Sequence, residues 1–93
     1  MIKSFRGKET ERVWSRAYSK RLPRGIQERA LMKLQQLNAA RDLRDLSIPN
    51  SNQLEALKGD RKGGYSIRIN RQWRICFRWR DGHAFDVEIV DYH

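Results

Sequence analysis

The chain has 93 residues, with 20 Lys and Arg against 11 Asp and Glu, and a formal net charge of +9. That length fits one domain over residues 1–93, and a 39% apolar fraction with three Trp, three Tyr and three Phe supplies a small core, which argues against disorder. No apolar run approaches the roughly 18 residues of a membrane span. Met1-Ile2-Lys3-Ser4-Phe5-Arg6 lacks the apolar stretch of a secretory signal, and the one cysteine, Cys76, excludes an intramolecular disulfide. The expectation is a cytoplasmic protein with an anionic partner.

In chain order, Ile2 and Phe5 around Lys3 and Ser4 form a short candidate strand. From Lys8 to Lys20, Val13, Trp14, Ala17 and Tyr18 recur at helical spacing, and Leu22-Pro23-Arg24-Gly25 ends that run. Ile26, Ala30, Leu34, Leu37 and Ala40 mark a second, longer helix. Leu43 and Leu46 extend it or form a separate turn, and Pro49-Asn50-Ser51-Asn52 is a loop. The period then becomes two. Leu54 and Leu57 begin a short strand that ends in a basic, glycine-rich turn, Lys58 to Gly64. Tyr65, Ile67 and Ile69 alternate with Ser66, Arg68 and Asn70, and Trp73, Ile75, Phe77 and Trp79 alternate with Arg74, Cys76, Arg78 and Arg80. Asp81-Gly82 is a hairpin signal, after which Phe85, Val87 and Ile89 alternate to the end of the chain. The predicted fold is α+β, in the order β-α-α-β-β-β-β, with two helices covering one face of a small antiparallel sheet.

The charge is sorted along this order. Residues 58–80 hold eight basic side chains and one acid, whereas residues 81–93 hold four acids and no Lys or Arg. Fourteen of the 20 cations are Arg, whose planar fork matches phosphate bidentately. Antiparallel pairing sets Arg68 and Asn70 beside Arg74 and Arg78 on the face away from the helices. Cations packed so closely repel one another unless an anion visits, which suits a phosphodiester backbone.

No metal-ligand spacing is present, no cofactor is implied, and Gly63-Gly64 lacks the rest of a P-loop. Cys76 reads as a packing residue and His83 as a solvated turn residue. Asp91-Tyr92-His93 places three groups that exchange or orient protons directly after a strand. RNA cleavage by the 2′-hydroxyl needs a base, an acid for the leaving 5′-oxygen, and cations on the phosphoryl oxygens. His exchanges protons near neutrality, and Tyr can stack on a base or donate a hydrogen bond. Strict alternation puts Tyr92 on the arginine face and Asp91 in phase with Ile89, so convergence requires the strand end to twist.

Leu57-Lys58-Gly59-Asp60-Arg61, Tyr65-Ser66-Ile67-Arg68-Ile69-Asn70, Gln72-Trp73-Arg74-Ile75 and Val90-Asp91-Tyr92-His93, with the opening Met1 to Phe5, resemble the HigB toxins of the RelE/ParE superfamily across essentially the whole chain. The resemblance implies a compact RelE-like fold and a type II toxin. It further implies an mRNA endoribonuclease that acts in the ribosomal A site without metal and is silenced by a HigA-type helix-turn-helix antitoxin. Operator DNA would be met only through that antitoxin. By position, Lys58, Arg74, Asp91, Tyr92 and His93 match the family's active-site residues, with Arg68, Asn70, Gln72 and Arg78 as RNA-binding candidates. Two other readings keep this fold or its basic face: a ParE-like inhibitor of DNA gyrase, and a non-catalytic RNA-binding module.

Overall fold

The computed structural model describes residues 1–92, so His93 lies outside the described residues. Helix α1 (Lys8–Trp14) begins after Gly7 and carries Glu9 and Glu11 in its first turn, where carboxylates meet the positive end of the helix dipole. It is shorter than the apolar spacing predicts. Arg16 takes a positive φ of 65°, which turns the chain away and leaves Ala17 and Tyr18 exposed. Helix α2 (Arg24–Ala39) starts directly after Pro23, which sets a compatible φ at the cost of no helical hydrogen bond. Ile26, Ala30, Leu34 and Leu37 form its buried stripe, as their spacing predicts. Leu43–Ser47 is a separate 3-10 turn; Asp42 accepts the Arg44 backbone N–H at its start, which holds the Asp42 carboxyl below the usual carboxylate range.

Four strands follow: β1 (Glu55–Ala56), β2 (Gly64–Arg68), β3 (Trp73–Arg80) and β4 (His83–Asp91). They form one antiparallel sheet in sequence order. Asp81 and Gly82 both have positive φ, 53° and 78°, the geometry that lets a two-residue turn follow the twist of its strands. The opening residues do not form a full strand. Ile2 and Phe5 make single parallel bridges to Ala84 and Val87 and so cover the outer edge of β4. The core lies between α1, α2 and one sheet face, where Leu34, Leu37, Ile67, Ile75 and Val87 are fully buried. Burying each such side chain contributes about 1.5–3 kcal/mol.

One sequence expectation fails inside β4. Arg78 pairs with Phe85 and Cys76 with Glu88, so Asp86 and Val87 together stand opposite Phe77. This bulge, with Asp86 at φ 53°, inverts the alternation. Ala84 and Val87 enter the core, and Phe85 is turned onto the arginine face rather than sharing the side of Val87 and Ile89.

Candidate active site

The site sits where β2 and β4 end and β3 begins, on the face away from α1 and α2. Register places Arg74 between Arg68 and Val90. Its side chain does not project freely from that face, as a repelling cluster would require. Arg74 is 6% exposed. Its Nε donates to Ser66 Oγ at 2.8 Å, and one terminal nitrogen donates to the Gln53 carbonyl and to the Ser66 carbonyl at 3.3 Å. The other terminal nitrogen lies 4.0 Å from a Glu55 carboxylate oxygen. Buried charge is tolerated only when paired and hydrogen-bonded in this way. Gln53 can offer its carbonyl because it adopts a left-handed conformation, φ 44° and ψ 58°, just before β1.

Tyr92 covers this cation. The Arg74 guanidinium carbon is 5.6 Å from the centre of the Tyr92 ring, within cation–π range. The end of β4 is drawn into place by the β2–β3 connection. Tyr92 N–H donates to the Gln72 carbonyl at 2.6 Å, and the Gln72 side-chain amide donates to Asp91 at 3.0 Å. Gln72 is itself positioned by Asn70, whose side-chain oxygen accepts the Gln72 and Trp73 backbone N–H groups at 2.9 and 2.8 Å. Arg68 Nε closes the same turn on the Asn70 carbonyl at 3.0 Å. Arg74, Asp91, Tyr92, Gln72, Arg68 and Asn70 are thus brought together, although Asn70 and Arg68 spend these groups on shaping the turn.

Lys58 and Arg78 are placed elsewhere. Leu57 N–H bonds to the Gly64 carbonyl and Gly64 pairs with Arg78, so Lys58, exposed in the turn after β1, lies towards the Arg78 end of the face. The expected relief of arginine repulsion by a visiting anion is in part met internally, by the Arg74 acceptors and by an Arg61–Glu88 ion pair at 3.1 Å. Cys76 is buried between these groups. Loss of hydration pushes its thiol up from the usual range, as expected for a packing residue.

Residues 3–93 match the family model of HigB-like toxins, described as RelE-like toxins of the type II toxin–antitoxin system HigB. The chain belongs to this family. Toxin HigB-1 of Vibrio cholerae serotype O1 is 39% identical over 88 residues, 94% of this chain and 93% of the relative. Endoribonuclease HigB of Proteus vulgaris is 32% identical over the whole of both chains. In structure, the fold is similar to chains of the YoeB–YefM toxin–antitoxin complex of Staphylococcus aureus (TM-score 0.57, 18% identity, 100% of this chain and 98% of the other). It is also similar to the YoeB/ParE toxin of Agrobacterium tumefaciens (TM-score 0.51, 20% identity, 99% and 96% covered).

For this HigB-like toxin, sequence reasoning found the cation and its aromatic neighbour but missed the groups that hold them. Ser66 carried a usable signal, since alternation puts a small hydroxyl on the arginine face in the strand next to Arg74. Gln53 carried none, because its contribution is a main-chain carbonyl.

Proposed function

We propose that this toxin is a cytoplasmic, ribosome-dependent mRNA endoribonuclease, acting as a single domain in the A site and silenced by a HigA-type helix-turn-helix antitoxin. The observation that carries the reading is the Arg74–Tyr92 pair, with Asp91 tethered beside it through Gln72. The relative named an endoribonuclease, identical in length of match, supports the same chemistry.

In the proposed step the RNA 2′-oxygen attacks the adjacent phosphorus while the bond from phosphorus to the 5′-oxygen breaks. This leaves a 2′,3′-cyclic phosphate and a 5′-hydroxyl. The proton of the 2′-hydroxyl passes to a base, and a proton returns to the departing oxygen. Asp91 and His93 share these transfers, the assignment of His93 resting on the sequence motif alone. Arg74 stabilises the charge that gathers on the phosphoryl oxygens. It is already oriented by Ser66 and Gln53, so little reorganisation accompanies the reaction. Tyr92 stacks on a base or donates a hydrogen bond. Arg68 and Gln72 border the RNA, and Lys58 supplies positive potential to the strand approaching from the β1 side.

Arg74 supplies a cation, but among the described residues the site shows no pair of carboxylates poised for strong general-base work. Substrate positioning must then carry much of the barrier, on the order of 7–11 kcal/mol at best, which is what a message held by the ribosome offers. Mapping 5′ ends after translation of a defined message on purified ribosomes tests the proposal. New ends at A-site codons are expected with the intact protein, and loss of them with Arg74→Gln or on removal of residues 91–93. An absence of new ends with the intact protein would overturn it.

A further inference from the structure

The sheet face opposite the helices carries a second pairing of arginine with an aromatic ring, at the end away from Arg74. The bulge at Asp86 turns Phe85 out of the core and sets it in register with Arg78. The Arg80 guanidinium carbon lies 4.7 Å over the Phe85 ring. Phe85 is half-buried, while Arg78 and Arg80 are exposed. Among the described residues, neither of these two arginines has a hydrogen-bond or ion-pair partner, in contrast to Arg74 and Arg61. Gly63 keeps the approach open. A Cβ there would stand 3.3 Å from an Arg78 terminal nitrogen. Ser4 and Asp86 complete the lining of the shallow pocket beside the ring, which therefore holds one carboxylate and two guanidinium groups.

Unpaired cations around a flat aromatic, continuous with a face that already holds Arg74 and Tyr92, are the elements of a single-strand track. Phosphates follow the charge, and bases stack on rings or on guanidinium planes. Arg80 lies six residues along β3 from Arg74, which is ~20 Å at the rise of a strand. We propose that Arg78, Arg80 and Phe85 form a second RNA subsite. It holds single-stranded RNA several nucleotides from the phosphate being cut, with a base stacked on the Arg80–Phe85 pair. The inference rests on the RNA-cleaving reading of Arg74 and Tyr92 and extends it to the flank of the substrate.

Fluorescence anisotropy on the full chain, with labelled single-stranded trinucleotide and decanucleotide RNA across a salt series, tests this. The decanucleotide should bind more tightly, because only it spans both ends of the face. Phe85→Leu should weaken the decanucleotide about tenfold, the loss of one stacked base, and leave the trinucleotide unchanged. Arg80→Gln alters only an exposed side chain, so it keeps the test informative if Phe85→Leu folds poorly; it should lower the logarithmic salt slope by about 0.7. Equal affinity for the two lengths would overturn the proposal, as would decanucleotide binding insensitive to both variants. A change confined to affinity for the antitoxin would overturn it too, by making the surface a protein contact. Parallel mapping of cleavage in translated message keeps the two readings apart. Length-dependent binding without any cleavage would sink the nuclease assignment and leave the subsite standing.

Discussion

Replacing Ser66 with Ala is the sharpest probe of how the active site is built. The change deletes one oxygen from a fully buried side chain and leaves Arg74 Nε without the acceptor it meets at 2.8 Å. A hydrogen bond to a charged group contributes about 1.5–3 kcal/mol, and a buried donor left unpaired forfeits that whole amount. The Gln53 and Ser66 carbonyls still hold one terminal nitrogen, so the lower half of that range, roughly 1.5–2 kcal/mol, is expected. At about 4–8 °C per kcal/mol for a domain of this size, the melting temperature should fall by roughly 6–16 °C. Under the proposed role of Arg74 cleavage should suffer separately, because a guanidinium free to swing would no longer be aimed at the phosphate. On programmed ribosomes at a temperature where the variant is folded, kcat should drop about ten- to hundredfold with KM changed less. A Ser66→Ala protein that melts within about 2 °C of the parent and cleaves at the parental rate would refute the view that Ser66 orients Arg74.

Three further outcomes follow from other parts of the molecule. Cys76 is 2% exposed and its thiol is pushed up by burial, so a thiol reagent should label the native protein orders of magnitude more slowly than the urea-unfolded chain; equal rates would contradict its placement. Lys33, buried and donating to Asn52 Oδ1, is pulled below the usual lysine range by lost hydration, with Arg29 adding to the effect. The unfolded chain therefore binds more protons between the lowered value and about 10.4, so stability should rise with pH across that window. Urea unfolding should show this slope in the parent and a flatter one in Lys33→Met, and identical slopes would remove Lys33 as its source. Asp86 holds a positive φ of 53° in the β4 bulge. Asp86→Gly should match or exceed the parental melting temperature, whereas Asp86→Val should cost about 1–2 kcal/mol; equal melting temperatures would show that the bulge relaxes.

Much of this fold was legible because its signals are local. The stripe from Ile26 to Leu37 gives α2, alternation gives β2 and β3, and Asp81-Gly82 gives their neighbouring hairpin. The departures come from interactions that no window of sequence contains. Helix α1 stops at Trp14 because Arg16 reverses the chain, although Ala17 and Tyr18 continue its spacing. Phe85 reads as a core residue until the bulge inserts one position and shifts the phase of everything before it. At the site, Arg74, Asp91 and Tyr92 do meet, but as a clamped arrangement rather than an open cluster of charge. Partners separated from Arg74 by eight and 21 positions decide that difference.

The clamp on Arg74 also changes when an entropic cost is met. A free arginine side chain loses up to about 2 kcal/mol of rotamer freedom when it is immobilised. In this toxin that loss is borne during folding, by the hydroxyl of Ser66 and the turned carbonyl of Gln53, before any RNA arrives. In the proposed reaction the guanidinium therefore acts without further ordering. The same rigidity removes its ability to reach for a misplaced phosphate. If Arg74 is the phosphate-stabilising cation, as proposed, such a side chain would select for substrates delivered to it in register and leave loosely held RNA uncut, so that the immobility of one residue would act as a filter on what the enzyme can destroy.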